Sequence, residues 1–179
     1  HGVFLIETGI YPETTEHKIS DVDDSGRGMP EFMRPSGVRF VDGTAIMDLR
    51  NFQSPDFNDF IDSSFKQISD RKCKSLIIDL RYNVGGQSTL ADYLLSYLLD
   101  GEYQSMVSDA IKISFTTSDY IAQLQSMGLG RNEGGLYVWD GLPTMPVVRN
   151  NRFDGKLYIL TGSMTYSTAG FFANVIQCY

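Results

Sequence analysis

Two short stretches of this sequence carry side chains and backbone able to do covalent chemistry together. The first is Thr165-Tyr166-Ser167-Thr168-Ala169-Gly170, in which a serine stands at the mouth of an apolar segment. At a helix start its Oγ faces unpaired backbone N–H groups and the positive end of the helix dipole. The second is Tyr82-Asn83-Val84-Gly85-Gly86, a turn that ends in paired glycines. Acyl transfer needs a nucleophilic hydroxyl beside backbone N–H donors aimed at a developing oxyanion. Glycines allow the main chain to come close to that oxyanion and to take up positive φ. The expectation is therefore Ser167 as nucleophile, with oxyanion donors from Gly85, Gly86 and the N–H of Thr168, the residue after the nucleophile. Tyr166 is placed at the edge of the same site, to line a substrate pocket or to pack. Taken alone, a serine at a helix start is a cap and a diglycine after a strand is a turn. The pair in matching positions is what points to chemistry.

That pairing depends on the elements around the two stretches. Leu157-Tyr158-Ile159-Leu160 reads as a strand buried on both faces, and Thr168 to Gln177 as a helix sunk in the core. Ser75-Leu76-Ile77-Ile78-Asp79-Leu80 is a second such strand, followed after its turn by an apolar helix over Ser88 to Leu99. Two parallel strands of this kind put both turns at the carboxyl end of one sheet, where open α/β folds bind and react. Earlier in the chain, Val38–Val41 and Thr44–Met47 flank Asp42-Gly43, a dipeptide suited to a two-residue hairpin turn. Ser54, Pro55 and Asp56 read as the capped opening of a helix whose stripe is Phe57, Phe60, Ile61, Phe65 and Ile68. Val3–Ile6 predicts a strand and Gly9 to Gly37 a polar loop. Between Glu102 and Arg152 the pattern weakens to a short helix over Ser118–Met127, capped by Ser118, and a strand over Leu136–Trp139. The domain reading is an N-terminal strand and loop over residues 1–37, then a core over 38–179.

Composition bounds the rest. The 179 residues make one well-buried domain, and a 42% apolar fraction is globular. A net charge of −7, from 15 basic and 22 acidic residues, argues against nucleic acid and anionic membrane surfaces as partners. No run reaches transmembrane length and no signal peptide is visible. Cys73 and Cys178 fit no metal or redox spacing. Asp21-Val22-Asp23-Asp24-Ser25-Gly26 opens like a calcium loop, but Phe32 falls where the bidentate acid belongs, which leaves a solvated acidic loop.

Leu76-Ile77-Ile78-Asp79-Leu80-Arg81-Tyr82-Asn83-Val84-Gly85-Gly86 resembles an apolar strand followed by Asp-Leu-Arg-x-Asn-x-Gly-Gly. Thr165 to Ala173 resembles the nucleophile block that accompanies it in the tail-specific, or C-terminal-processing, serine peptidases (serine-peptidase family forty-one). The likeness runs from about Val38 to Gln177. It implies an α/β fold of repeated ββα units with a mixed, largely parallel sheet, related to the Clp-protease and crotonase folds. It also implies cleavage of polypeptides outside the cytoplasm, with no cofactor and no metal. Carried over by position, Ser167 is the nucleophile, and Thr168 and the Gly85-Gly86 turn supply the oxyanion N–H groups.

Two positions depart from the pattern. Gly170 stands where the family usually has Glu, one turn into the helix. The general base is also missing, because only 12 residues follow Ser167, whereas one branch of the family places a lysine about two dozen residues beyond its serine. His1 and His17 lack the context of the other branch's histidine, and Lys72, Lys74 and Lys156 precede their strands. The leading expectation is a serine endopeptidase core whose base lies on segments not in this sequence. The alternative is a non-catalytic relative that binds a peptide or apolar ligand in the same groove, with a crotonase-type acyl-CoA enzyme as a third reading. Asp79 is expected to pair with Arg81 or to cap backbone amides.

Overall fold

The computed structural model describes the backbone of residues 3–7 and the whole of residues 34–106 and 108–179. His1, His17, the acidic Asp21–Gly26 segment and nearly all of the expected polar loop lie outside the described residues. The chain forms two compact units, His1–Gly101 with Pro146–Tyr179, and Glu102–Met145.

The larger unit is built on a five-stranded sheet. β1 spans Val3–Glu7, β2 Gly37–Val41, β3 Thr44–Asp48, β4 Ser75–Asp79 and β8 Lys156–Thr161. Their order is β1-β8-β4-β3-β2, parallel except for the antiparallel β2–β3 hairpin. That hairpin turns at Asp42 and Gly43, both at positive φ (47° and 76°), as the dipeptide requires. The fold class is thus the mixed, largely parallel α/β sheet expected from the sequence.

Register explains the core. Ala45, Leu76 and Leu157 lie side by side, as do Met47, Ile78 and Ile159, and all six are buried. On the other face Ile46, Ile77 and Tyr158 form the matching row and are only half-buried. The strands expected to be buried on both faces are therefore fully buried on one. The reason lies in the helices: α1 (Phe57–Asp70), α2 (Ser88–Leu95) and α4 (Thr168–Cys178) pack side by side, α2 against both others, and so cover a single face. α1 contributes Phe57, Ile61, Phe65 and Ile68, and α4 contributes Phe172, Ala173, Val175 and Ile176.

Helix ends differ from expectation for local reasons. α1 begins at Phe57, because Ser54 accepts the Phe57 N–H through its carbonyl instead of capping through its hydroxyl. α2 stops at Leu95, where the Tyr97 and Leu98 N–H groups bond three residues back and the Ser96 hydroxyl donates to the Tyr93 carbonyl.

The smaller unit pairs β5 (Ser108–Lys112), β6 (Arg131–Glu133) and β7 (Leu136–Asp140) in the order β5-β7-β6, with α3 over Ser118–Ser126. Sequence reading misses β5 and β6, whose residues are almost all exposed and polar and so carry no apolar alternation. Ile121, Leu124, Tyr137 and Trp139 make the core. A short 3-10 turn, Phe115–Thr117, precedes α3 and is boxed by Ser114 and Thr117, while the Ser118 hydroxyl donates back to the Phe115 carbonyl and caps nothing.

At the end of β3, Asp48 pairs with Arg39 and lies 3.4 Å from Nη2 of Arg50. Two guanidiniums would normally lower a carboxyl pKa. Burial outweighs them here and, with Asp79 nearby, holds Asp48 above its ordinary 3.8. A folded state that keeps this proton more tightly gains stability below the ordinary value and loses it as pH rises through the raised one. Unfolding titrations of the wild type and Asp48→Asn from about pH 3 to 7 should show the wild type losing stability relative to the variant as pH rises. A relative gain would contradict the burial argument.

Candidate active site

β4 and β8 are adjacent and parallel, so the loops that leave their carboxyl ends meet. Three hydrogen bonds stitch them together. The Tyr166 N–H donates to the Asn83 carbonyl at 3.1 Å, Thr165 Oγ1 to the Leu80 carbonyl at 2.8 Å, and Thr168 Oγ1 to the Gly86 carbonyl at 2.6 Å. Thr165 Oγ1 also accepts the Gly162 N–H, which closes its own turn.

The first loop is shaped from within by Asn83, which is fully buried. Its Oδ1 accepts the Gly85 N–H at 2.9 Å and its Nδ2 donates to the Leu49 carbonyl at 3.1 Å. Just before it, Asp79 holds Arg81 through Nε and Nη2 and accepts the Arg81 N–H, so the pairing and capping expected of Asp79 are both present. Gly85 and Gly86 take φ of 99° and 144°. A methyl group on Gly85 would sit 2.8 Å from Ser167 Cβ and 3.0 Å from the Thr168 nitrogen, so glycine is what lets the loops touch. Gly86 bridges to Phe52 through its neighbours, Gly85 carbonyl to Phe52 N–H and Gln87 N–H to Phe52 carbonyl. This turns Gly86's own N–H and C=O to the opposite edge, where Thr168 meets the carbonyl. Among the described residues neither the Gly86 nor the Thr168 N–H has an acceptor, whereas Gly85's N–H is taken by Asn83.

Ser167 is the N-cap of α4, with φ 51° and ψ −126°, a backbone conformation costly for any residue but glycine. It caps nothing with its side chain and is exposed. A strained serine on a sharp strand-to-helix turn, its hydroxyl held clear of the packed core, is the geometry of a nucleophile elbow. Ser167, Tyr166, Gly170, Phe171 and Asn174 line an open depression of about 540 Å³. Among the described residues no histidine, lysine or carboxylate lines it. Lys74 and Lys156 lie at the opposite end of the sheet, where the Lys156 N–H bonds the Lys74 carbonyl at the start of β4 and β8.

The structure thus brings together every residue singled out from the sequence: Ser167, Thr168, Gly85, Gly86 and Tyr166. Sequence reading passes over Asn83, Thr165, Phe171 and Asn174. The first could be found as an Asx-turn residue two before a glycine, and the last two as positions i+4 and i+7 of Ser167. Among the described residues no group of three metal-binding side chains occurs, and no helix is long and apolar enough to cross a membrane.

The backbone strain makes two expectations. Ser167→Gly should raise the unfolding free energy by about 1 kcal/mol, since it relieves the conformation and removes no hydrogen bond. Gly85→Ala should lower it by about 2 kcal/mol through positive φ and the Ser167 contact. Denaturant midpoints of both variants check this, and a shift of opposite sign in either would discount the strain.

A family model described as Peptidase family S41 matches residues 43–179. Solved structures share the fold at low identity. A candidate peptidase from Parabacteroides merdae ATCC 43184 has a TM-score of 0.60 and 20% identity, over 80% of this chain and 40% of that one. A serine-to-alanine variant of CPAF gives 0.51 and 16%, over 75% of this chain and 35% of that one. The photosystem II D1 C-terminal processing protease gives 0.50 and 15%, over 75% and 28%. The chain therefore spans well under half the length of these structures. No curated protein sequence matches it.

Proposed function

The chain belongs to peptidase family S41, and from that premise we propose that it is the nucleophile-bearing core of a serine endopeptidase that cleaves polypeptides through an acyl-enzyme. One observation carries the reading: a strained, exposed Ser167 lies against Gly85 at a rim where two backbone N–H groups have no acceptor among the described residues. In this reading Ser167 Oγ attacks the scissile carbonyl. The oxyanion that forms is held by the N–H groups of Gly86 and Thr168, while Gly85 supplies the room and Asn83 fixes the turn. The positive end of α4 favours the same negative charge. Each donor is worth on the order of 10²–10³ in rate because it is oriented before the charge develops.

A serine hydroxyl needs a base to be nucleophilic at neutral pH. None of the described residues that line the depression can serve. In this reading the base comes from a segment not in this sequence, as the family resemblance implies, and that segment completes the substrate's groove. Action outside the cytoplasm belongs to the same reading and follows from the family resemblance.

The test is Ser167→Ala in the intact protein. Peptide turnover should fall by at least about 10³-fold, with the unfolding midpoint little changed. Undiminished turnover in that variant would remove Ser167 from the chemistry.

A further inference from the structure

The face of α4 that begins at Ser167 is open. Gly170, Phe171 and Asn174 follow Ser167 at i+3, i+4 and i+7, so the four residues share one stripe over about 10 Å of helix. Phe171 and Asn174 are exposed, whereas Thr168, Ala169, Phe172, Ala173, Val175 and Ile176 are buried on the other side. Tyr166 closes the near end, with 74% of its surface exposed, and Phe171 stands at 55%. None of the five lining residues carries a charge at neutral pH, and Asn174 at the far end brings only an amide. Two aromatic rings beside a reactive hydroxyl, with nothing charged between them, form a surface that would gain by covering an apolar group.

Gly170 is the informative position. Its φ is not in the left-handed region, and a methyl group built on it would meet nothing within 4 Å. Neither backbone nor packing therefore requires glycine, although a glycine inside a helix costs about 1 kcal/mol relative to alanine. What the missing side chain does is keep the floor of the depression open beside Ser167. The depression is open to solvent, and its volume of about 540 Å³ leaves room for a large side chain against the two rings.

We propose that this depression receives a large apolar side chain, of leucine, methionine or phenylalanine size, from the substrate residue that presents its carbonyl to Ser167, and that Gly170 sets the size limit. The inference rests on Ser167 being the nucleophile. It adds a substrate preference that Ser167 alone does not imply: acidic and basic side chains are disfavoured because the described residues that line the depression offer them no opposite charge.

The experiment uses diphenyl phosphonates that mimic the carbonyl-bearing residue with no side chain, with a benzyl side chain, or with a carboxyethyl side chain. In each case Ser167 Oγ bonds to phosphorus as one phenoxide leaves, and phenol carries away the serine proton. Labelling rates at Ser167 are read by mass spectrometry on the intact protein. The benzyl probe should react at least about tenfold faster than the probe without a side chain, and the carboxyethyl probe more slowly than the benzyl probe. In Gly170→Leu the benzyl preference should fall about tenfold. Phe171→Ala should reduce it too, a second test if Gly170→Leu does not fold. Ser167 labelled at equal rates by all three probes would overturn the pocket and leave the nucleophile standing, as expected if another part of the protein covers this face. No labelling of Ser167 by any probe would overturn both.

Discussion

The site depends on a seam of hydrogen bonds between two loops far apart in sequence. Tyr166 and Thr165 reach the first loop at Asn83 and Leu80, and Thr168 reaches Gly86. A strand-to-helix turn held only by its own chain could rotate its serine inward or settle into ordinary helical geometry. The seam removes that freedom by fixing the residues on both sides of Ser167, and the unfavourable φ at 167 follows from those fixed ends. The strain at Ser167 is thus offset by contacts elsewhere in the same two loops.

Asn83 does the complementary work in the first loop. Its amide satisfies the Gly85 N–H and the Leu49 carbonyl, so it joins the turn to the end of β3 and leaves Gly86 as the glycine whose N–H has no acceptor among the described residues. Phe52 continues the same line: it pairs with Gly86 by main chain and rests its ring 5.8 Å from that of Phe172 in α4. Core packing and site geometry are one structure here, since the ring that fills the core belongs to the residue that aligns the second glycine.

Asp48 shows the limit of reading charge pairs by proximity. It sits between Arg39 and Arg50, yet burial raises its pKa. The desolvation of a carboxylate at the edge of a core exceeds what two nearby cations return, which is why pairs of this kind add less stability than their distances suggest.

The sequence by itself determined the local pieces. The Asp42-Gly43 hairpin, the apolar runs of β4 and β8, the small apolar helix after Ser167 and the paired glycines follow from backbone preference and periodicity, which act over a few residues. Tertiary structure decided how they combine. The half-buried row of Ile46, Ile77 and Tyr158 is an apolar row like its neighbour, and only the placement of all helices on one side separates the two. β5 and β6 carry no apolar pattern and exist because β7 lies beside them. Which glycine N–H is taken inside the loop depends on Asn83, and whether Gly170 opens a depression depends on which face of α4 the sheet leaves uncovered. Burial and the pairing of donors with acceptors are set by neighbours distant in the chain, so no window of sequence contains them.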